Sequence, residues 1–267
     1  MTRAPVATGS FYPARPGELA EIVDELLAAA HPSLPPGDLR ALVAPHAGYV
    51  YSGAVAASAF AAIPAQLPLL RVSLLGPSHY EPLDGVAVSD AHAWKTPLGD
   101  VLVDDDLRAA AVAAGAAVDF RPHRADHALE VELPFLQRRV PSELRVLPVA
   151  VGGDRPDAAA RVVAALARSS LIVVSTDLSH YLDDGAARAR DRRTARAVVA
   201  VDYDLVRDGD ACGAAALRAL LASARGAGWA GTLLDLRTSA DATGDTRRVV
   251  GYGAFAFTGR AADLVPR

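Results

Sequence analysis

One cysteine, one lysine and no long apolar run: the scarce features of this 267-residue chain narrow its class first. Cys212 has no second cysteine to pair with, so no intrachain disulfide can form and a reducing cytoplasm is the expected compartment. The N-terminus, Met1-Thr2-Arg3-Ala4-Pro5, lacks the apolar core of a signal peptide, and the longest apolar stretches are alanine-rich segments broken by Gly, Asp or Arg. A soluble protein without a membrane span is expected. Lys95 is the sole lysine, and a net charge of −4 offers nucleic acid or anionic lipid no general attraction. No P-loop, no GxGxxG after a strand, no GxSxG elbow and no CxxC pair occurs. Nucleotide binding, serine hydrolysis and structural zinc therefore lack support.

What the chain does have is a repeated design. In Leu42-Val43-Ala44-Pro45-His46-Ala47-Gly48-Tyr49 an apolar run stops at a proline, and a histidine follows in a turn. Proline has no N–H for a sheet ladder, so the strand should end there. Val72-Ser73-Leu74-Leu75-Gly76-Pro77-Ser78-His79 repeats the pattern, and Leu171-Ile172-Val173-Val174-Ser175-Thr176-Asp177-Leu178-Ser179-His180 brings a third histidine after a third run. Continuous Val/Ile/Leu runs are the mark of buried parallel strands, and ligands of open α/β sheets gather beyond the strands' carboxyl ends. The three histidines are expected to meet at that edge.

Hydrophobic residues make up 51% of the chain, enough for a full core. Periodicity predicts helices over 16–30, 53–63, 104–114, 156–167 and 184–200, a helix running through Gln137, and another from Cys212 to Ala222. Strands are predicted over 39–44, 70–75, 85–89, 144–151 and 170–175, with a turn at Trp94–Gly99. Two last runs, 229–238 and 249–258, should pair antiparallel. The alternation of strand and helix predicts a single α/β domain over 1–267: three layers, α/β/α, around a largely parallel mixed sheet.

Neutral imidazole is the commonest metal ligand, so His46 and His79 are the first metal candidates. His180 is a third ligand or a general base. Asp177 either coordinates a metal, orients an imidazole or caps the next turn. Within His123, Asp126, His127, Glu130 and Glu132, the i,i+3 spacing puts His127 and Glu130 on one face of a helix start, lining the pocket. Asp126 and Glu132 fit a solvated helix N-terminus. Cys212 reads as a small buried hydrophobe. Asp241 and Asp245, in the Gly/Asp-rich loop before the last strand, are turn residues or a carboxylate completing a metal triad.

Taken together, Gly9-Ser10-Phe11-Tyr12-Pro13, Ala44-Pro45-His46-Ala47-Gly48-Tyr49, Gly76-Pro77-Ser78-His79, Thr96-Pro97-Leu98-Gly99, His127-x-x-Glu130-x-x-Leu133-Pro134-Phe135, Leu147-Pro148-Val149, Ser175 to Tyr181 and Ala211-Cys212-Gly213 resemble the Memo family, also called AmmeMemoRadiSam system protein B. The resemblance implies a fold like that of the class III extradiol (LigB-like) dioxygenases, in which two histidines and a carboxylate hold Fe(II). It implies His46 and His79 as metal ligands and His180 as acid–base residue. Metal-binding relatives use a cysteine in the loop where this chain has Ala242, so Asp241 or Asp245 becomes the implied third ligand. The expected cofactor is a divalent metal, Fe(II) first, then Cu or Zn. The implied activity is that of a metal-dependent oxidoreductase. The alternative is a non-catalytic adaptor that binds a small-molecule or peptide ligand in the same pocket. Radical-SAM and AMMECR-type proteins are the implied pathway partners.

Overall fold

The valine- and leucine-rich runs form the middle of one sheet. The computed structural model describes residues 1–64, 70–140, 143–153 and 156–259. In chain order the elements are β1 (Thr2–Arg3), α1 (Pro16–Ala29), β2 (Asp38–Ala44), α2 (Tyr49–Phe60), β3 (Leu70–Gly76), β4 (Gly85–Val88), β5 (Ala93–Thr96), β6 (Gly99–Val103), α3 (Asp105–Ala113), β7 (Ala117–Val118), α4 (Arg121–Arg124), α5 (Leu133–Arg139) and β8 (Leu144–Gly152). They continue with α6 (Pro156–Leu166), β9 (Leu171–Ser175), β10 (His180–Leu182), α7 (Asp184–Val199), α8 (Ala214–Ala227), β11 (Ala230–Thr238), α9 (Ala240–Thr243) and β12 (Val249–Gly259).

Strands run in the order β1-β5-β6-β8-β3-β9-β2-β12-β10, with β11 on β12, β4 on β8 and β7 on β4. The block β6-β8-β3-β9-β2 is parallel throughout. Antiparallel pairs lie toward the margins, β12 on β2 and on β11 among them. Every residue of β9 is buried, as a strand covered on both faces requires. Helices α1, α2 and α5 pack together, as do α3, α6 and α8, and α7 covers β11 and β12. This is the expected three-layer α/β/α arrangement. No helix among the described residues is long and apolar enough to cross a membrane.

Differences from the sequence expectation are local and have physical causes. Helix α2 begins at Tyr49, a turn earlier than predicted, and Tyr49 is anchored there by its hydroxyl donating to the Val131 carbonyl at 2.7 Å. The predicted turn at 94–99 is the tip of the β5–β6 hairpin. Residues 128–132 are turns rather than a helix start, and α5 begins at Leu133 next to Pro134. Two short strands, β1 and β10, have no period of their own; they exist because β5 and β12 offer edges to pair with.

Topology places the site. β3, β9 and β2 are adjacent, so the segments leaving their carboxyl ends emerge side by side. At about 4.8 Å per strand, the outer two ends are only about 10 Å apart. His46 leaves β2, His79 leaves β3, and Asp177 and His180 leave β9 between them.

Candidate functional site

His46 is the fixed point of the site. Its backbone N–H donates to Asp177 Oδ1 at 2.9 Å, and Asp177 also takes the N–H of Ala47. Asp177 thus holds the Pro45–His46 turn through backbone N–H groups rather than through an imidazole ring. Burial pushes the Asp177 carboxyl up to about 6.

The His46 ring is held by Ser175, and the geometry assigns the protons. Ser175 Oγ lies 2.8 Å from the Ala128 carbonyl, 2.8 Å from Glu132 Oε1 and 2.8 Å from His46 Nδ1. A carbonyl only accepts, so the single hydroxyl proton goes to Ala128. The two lone pairs of Oγ must then receive His46 Nδ1–H and a protonated Glu132. This agrees with burial raising the Glu132 carboxyl well above its ordinary range. Glu132 Oε2 makes no hydrogen bond among the described residues, as a neutral acid tolerates and a carboxylate would not. His46 consequently presents an unprotonated Nε2 to the cavity.

His79 is set by Asp126. Its backbone N–H donates to Asp126 Oδ2 at 2.6 Å, and its Nδ1 lies 3.2 Å from Oδ1, which fixes the ring beside His46. Asp126 is therefore buried and positioned on an imidazole, not solvated as its sequence context suggested. His127 completes the group: its ring stacks on His79 at 5.0 Å and meets His46 edge-on at 5.5 Å, while His46 and His79 are 5.3 Å apart. One nitrogen from each of His46, His79 and His127 lies within 4.8 Å of the other two. Burial and the neighbouring imidazoles push His46 down to about 3 and His127 down to about 4, so both are neutral donors at pH 7.

His180 shares the cavity without joining the three. Its Nδ1–H donates to the Leu178 carbonyl at 2.8 Å, which fixes the ring. The loop that carries it is clamped by buried Asp191, which accepts from Ser179 N–H at 3.0 Å and Ser179 Oγ–H at 3.1 Å. Cys212 Sγ lies 3.4 Å from His46 Nε2, and burial with Asp177 nearby pushes its thiol up to about 12. It belongs to the polar floor rather than to an inert hydrophobic pocket. Gly213 allows that approach, since a Cβ there would lie 2.8 Å from Thr176 Cβ. The whole encloses about 850 Å³, with His46, His79, His127, His180, Asp177 and Cys212 on its wall.

Three sequence candidates stay apart from the imidazole group, two of them off the cavity wall altogether. Glu130 points away from the cavity; it receives Arg3 Nη1 at 2.6 Å, Tyr12 OH at 2.5 Å and the N–H groups of Val6 and Ala7 at 2.8 and 2.9 Å. Because 127–132 is not helical, the spacing that paired His127 with Glu130 sends them in opposite directions. Asp241 is engaged by Arg188 at 2.9 Å and by the Thr238 N–H at 2.8 Å. Asp245 reaches the cavity wall but is paired with Arg247 at 2.7 Å. Neither carboxylate joins the imidazole group among the described residues. Sequence reasoning missed Ser175 and undervalued Glu132. The available signal was a carboxyl flanked by Val131 and Leu133, both buried.

Fold and site define an α/β protein with a three-histidine pocket at the carboxyl edge of its parallel strands. A family model described as Memo-like protein matches residues 3–256. Relatives named MEMO1 family protein include one from Nitrosopumilus maritimus, 33% identical over 96% of this chain and 100% of its own length. Another, from Methanococcoides burtonii, is 35% identical over 94% of this chain and 98% of its own length. A third, from Sulfolobus acidocaldarius, is 31% identical over 94% and 98%. The chain belongs to the Memo-like family.

Proposed function

We propose that this protein is a metal-dependent oxidoreductase in which His46, His79 and His127 hold one divalent transition-metal ion, with iron(II) the first candidate and copper or zinc next. The observation that carries the proposal is the convergence of three imidazole nitrogens within 4.8 Å, two of them fixed in orientation by Ser175 and Asp126. Neutral imidazole donors suit iron, copper and zinc alike. His127 takes the third position, for which the sequence suggested Asp241 or Asp245. Bound iron(II) would supply a redox-active Lewis acid with coordination positions open to a ligand. His180, with Nε2 free in the same cavity, is the residue to accept or return a ligand proton. A cytoplasmic setting suits the one unpaired thiol.

Metal analysis after anaerobic reconstitution tests the donor set. One ion per chain is expected, lost in His46→Ala, His79→Ala and His127→Ala and retained in Asp241→Asn and Asp245→Asn. Retention by His46→Ala, or loss in Asp245→Asn with His127→Ala unaffected, overturns it. Exposed Tyr51, Tyr80 and Tyr181, at 47%, 61% and 63%, favour a second reading, a ligand-binding protein without turnover. Oxygen uptake by the iron-loaded protein with a panel of catechols separates the two: none across the panel leaves binding as the function.

A further inference from the structure

The wall of the cavity carries a cation, Arg248, with no ion pair among the described residues. Of the residues on the cavity wall, Arg248 is the one Lys or Arg. Among the described residues its guanidinium has no carboxylate and no hydrogen-bond partner; its contact is the face of Tyr181, 4.8 Å from the ring centroid. The adjacent Arg247 shows the contrast, since it is held by Asp245 at 2.7 Å. That pairing also neutralises the one carboxylate of this loop that reaches the wall, so Asp245 does not compete for Arg248.

The partner of Arg248 is held in place at a cost. Tyr181 has a backbone φ of 59°, a region in which a bulky side chain is a genuine outlier and which recurs at ligand sites. Pairing of β10 with β12 sets His180 against Val250 and Leu182 against Val249, so Tyr181 is the extra residue of a bulge. Bulges beside sites re-aim a side chain, and here the tyrosine ring is turned under Arg248. The loop that supplies Arg248 is tied down as well. Asp184 N–H donates to the Thr246 carbonyl at 2.9 Å, and Val250 N–H donates to Ser239 Oγ at 3.2 Å. The same wall carries three further aromatic rings, Phe11, Tyr51 and Tyr252.

We propose that Arg248, stacked on Tyr181, is the subsite for the oxyanion head of a small organic ligand, a carboxylate or phosphate ester whose planar body lies among Phe11, Tyr51 and Tyr252 and points at the histidines. A stacked guanidinium keeps its edge free for two parallel hydrogen bonds to an oxyanion, which a lysine ammonium does not match. The subsite rests on the proposed reaction chamber being this cavity, and it names the class of substrate that chamber takes.

Calorimetric titration of the metal-free full chain with benzoate, phenyl phosphate and uncharged benzyl alcohol tests it. Both anions should bind at least about tenfold more tightly than the alcohol, as one charge-assisted pair allows. The tighter of the two identifies the head group. Arg248→Gln should weaken the anions about tenfold, Arg248→Lys by less, and the exposed Arg192→Gln on α7 should leave them unchanged. Tyr181→Gly relieves the backbone while removing the platform, so it should weaken the anions without loss of fold. Equal binding of anion and alcohol, no saturable binding of either anion, or full affinity in Arg248→Gln overturns the subsite. Because the chain is metal-free throughout, failure of the metal proposal leaves these outcomes untouched.

Discussion

Glu130 and Glu132 stand two residues apart, both at 0% exposure, and they are chemical opposites. Glu130 faces the N-terminal segment and collects a guanidinium, a phenol and two backbone N–H groups, a complete shell for a carboxylate. Arg3 is equally well supplied, donating also to the carbonyls of His123 and Asp126 and lying 4.1 Å from the Trp94 ring centroid. Glu132 faces the histidines with one hydroxyl for company and no cation. Burial alone therefore does not decide the charge of a carboxyl; the count of donors facing it does. One glutamate staples the chain's start to the fold, and the other fixes the tautomer of a site histidine through Ser175.

The largest expected effect breaks the staple. Glu130→Gln keeps shape but leaves the Arg3 guanidinium buried without a counter-charge, which should cost about 3–5 kcal/mol of unfolding free energy. Urea denaturation of the two proteins measures it. A loss under about 1 kcal/mol would mean that Arg3 is not a desolvated partner at all. Arg3→Met combined with Glu130→Gln should recover part of the loss, because no charge is then stranded.

Much of this architecture was legible. The β2, β3 and β9 runs are continuous because both faces are buried, and each stops at Pro45, Pro77 or the Thr176–Asp177 turn, so histidines at 46, 79 and 180 could be sent to one edge before any coordinates. What could not be read is which acid serves which base. Asp126 with His79, and Glu132 with Ser175 and His46, are contacts across 43 to 129 positions, and no local period encodes them. Assigning Glu130 to the pocket followed from assuming helical spacing where the chain makes turns. Arg248 escaped notice because a lone arginine has no motif; only the cavity and the ring beneath it give it meaning.

An intermediate effect comes from the hydroxyl that joins the two halves of the Glu132 arm. Ser175→Ala removes the acceptor of His46 Nδ1–H and of the Glu132 proton together. Stranding these buried donors should cost about 1–3 kcal/mol of stability. The freed ring should also lower metal affinity about 10- to 100-fold, the usual cost when the group orienting a ligating histidine is lost. Competition against a coloured chelator reads the affinity directly. Unchanged affinity would show that the protein does not use Ser175 to set the ring.

The smallest effect is the sharpest test of the contrast, because the same substitution made at the neighbouring glutamate should do almost nothing at about pH 4. Glu132→Gln replaces a donating O–H by a donating N–H, so at about pH 4, where free carboxyls keep most of their protons, stability should change by less than about 1 kcal/mol. The pH dependence then carries a sign. The folded carboxyl is raised, so below the ordinary range of about 4.3 both folded and unfolded chains hold the proton. Above it the unfolded chain releases the proton while the folded chain keeps it, and the wild type loses stability with rising pH. Glutamine has no proton to release, so Glu132→Gln should gain on the wild type steadily from pH 4 toward neutrality, and the remaining titrating groups cancel in the difference. Paired urea midpoints across that interval measure the gain. A difference that stays flat, or turns against glutamine as pH rises, would make Glu132 an ionised carboxylate and would reverse the proton assignment at Ser175 and His46.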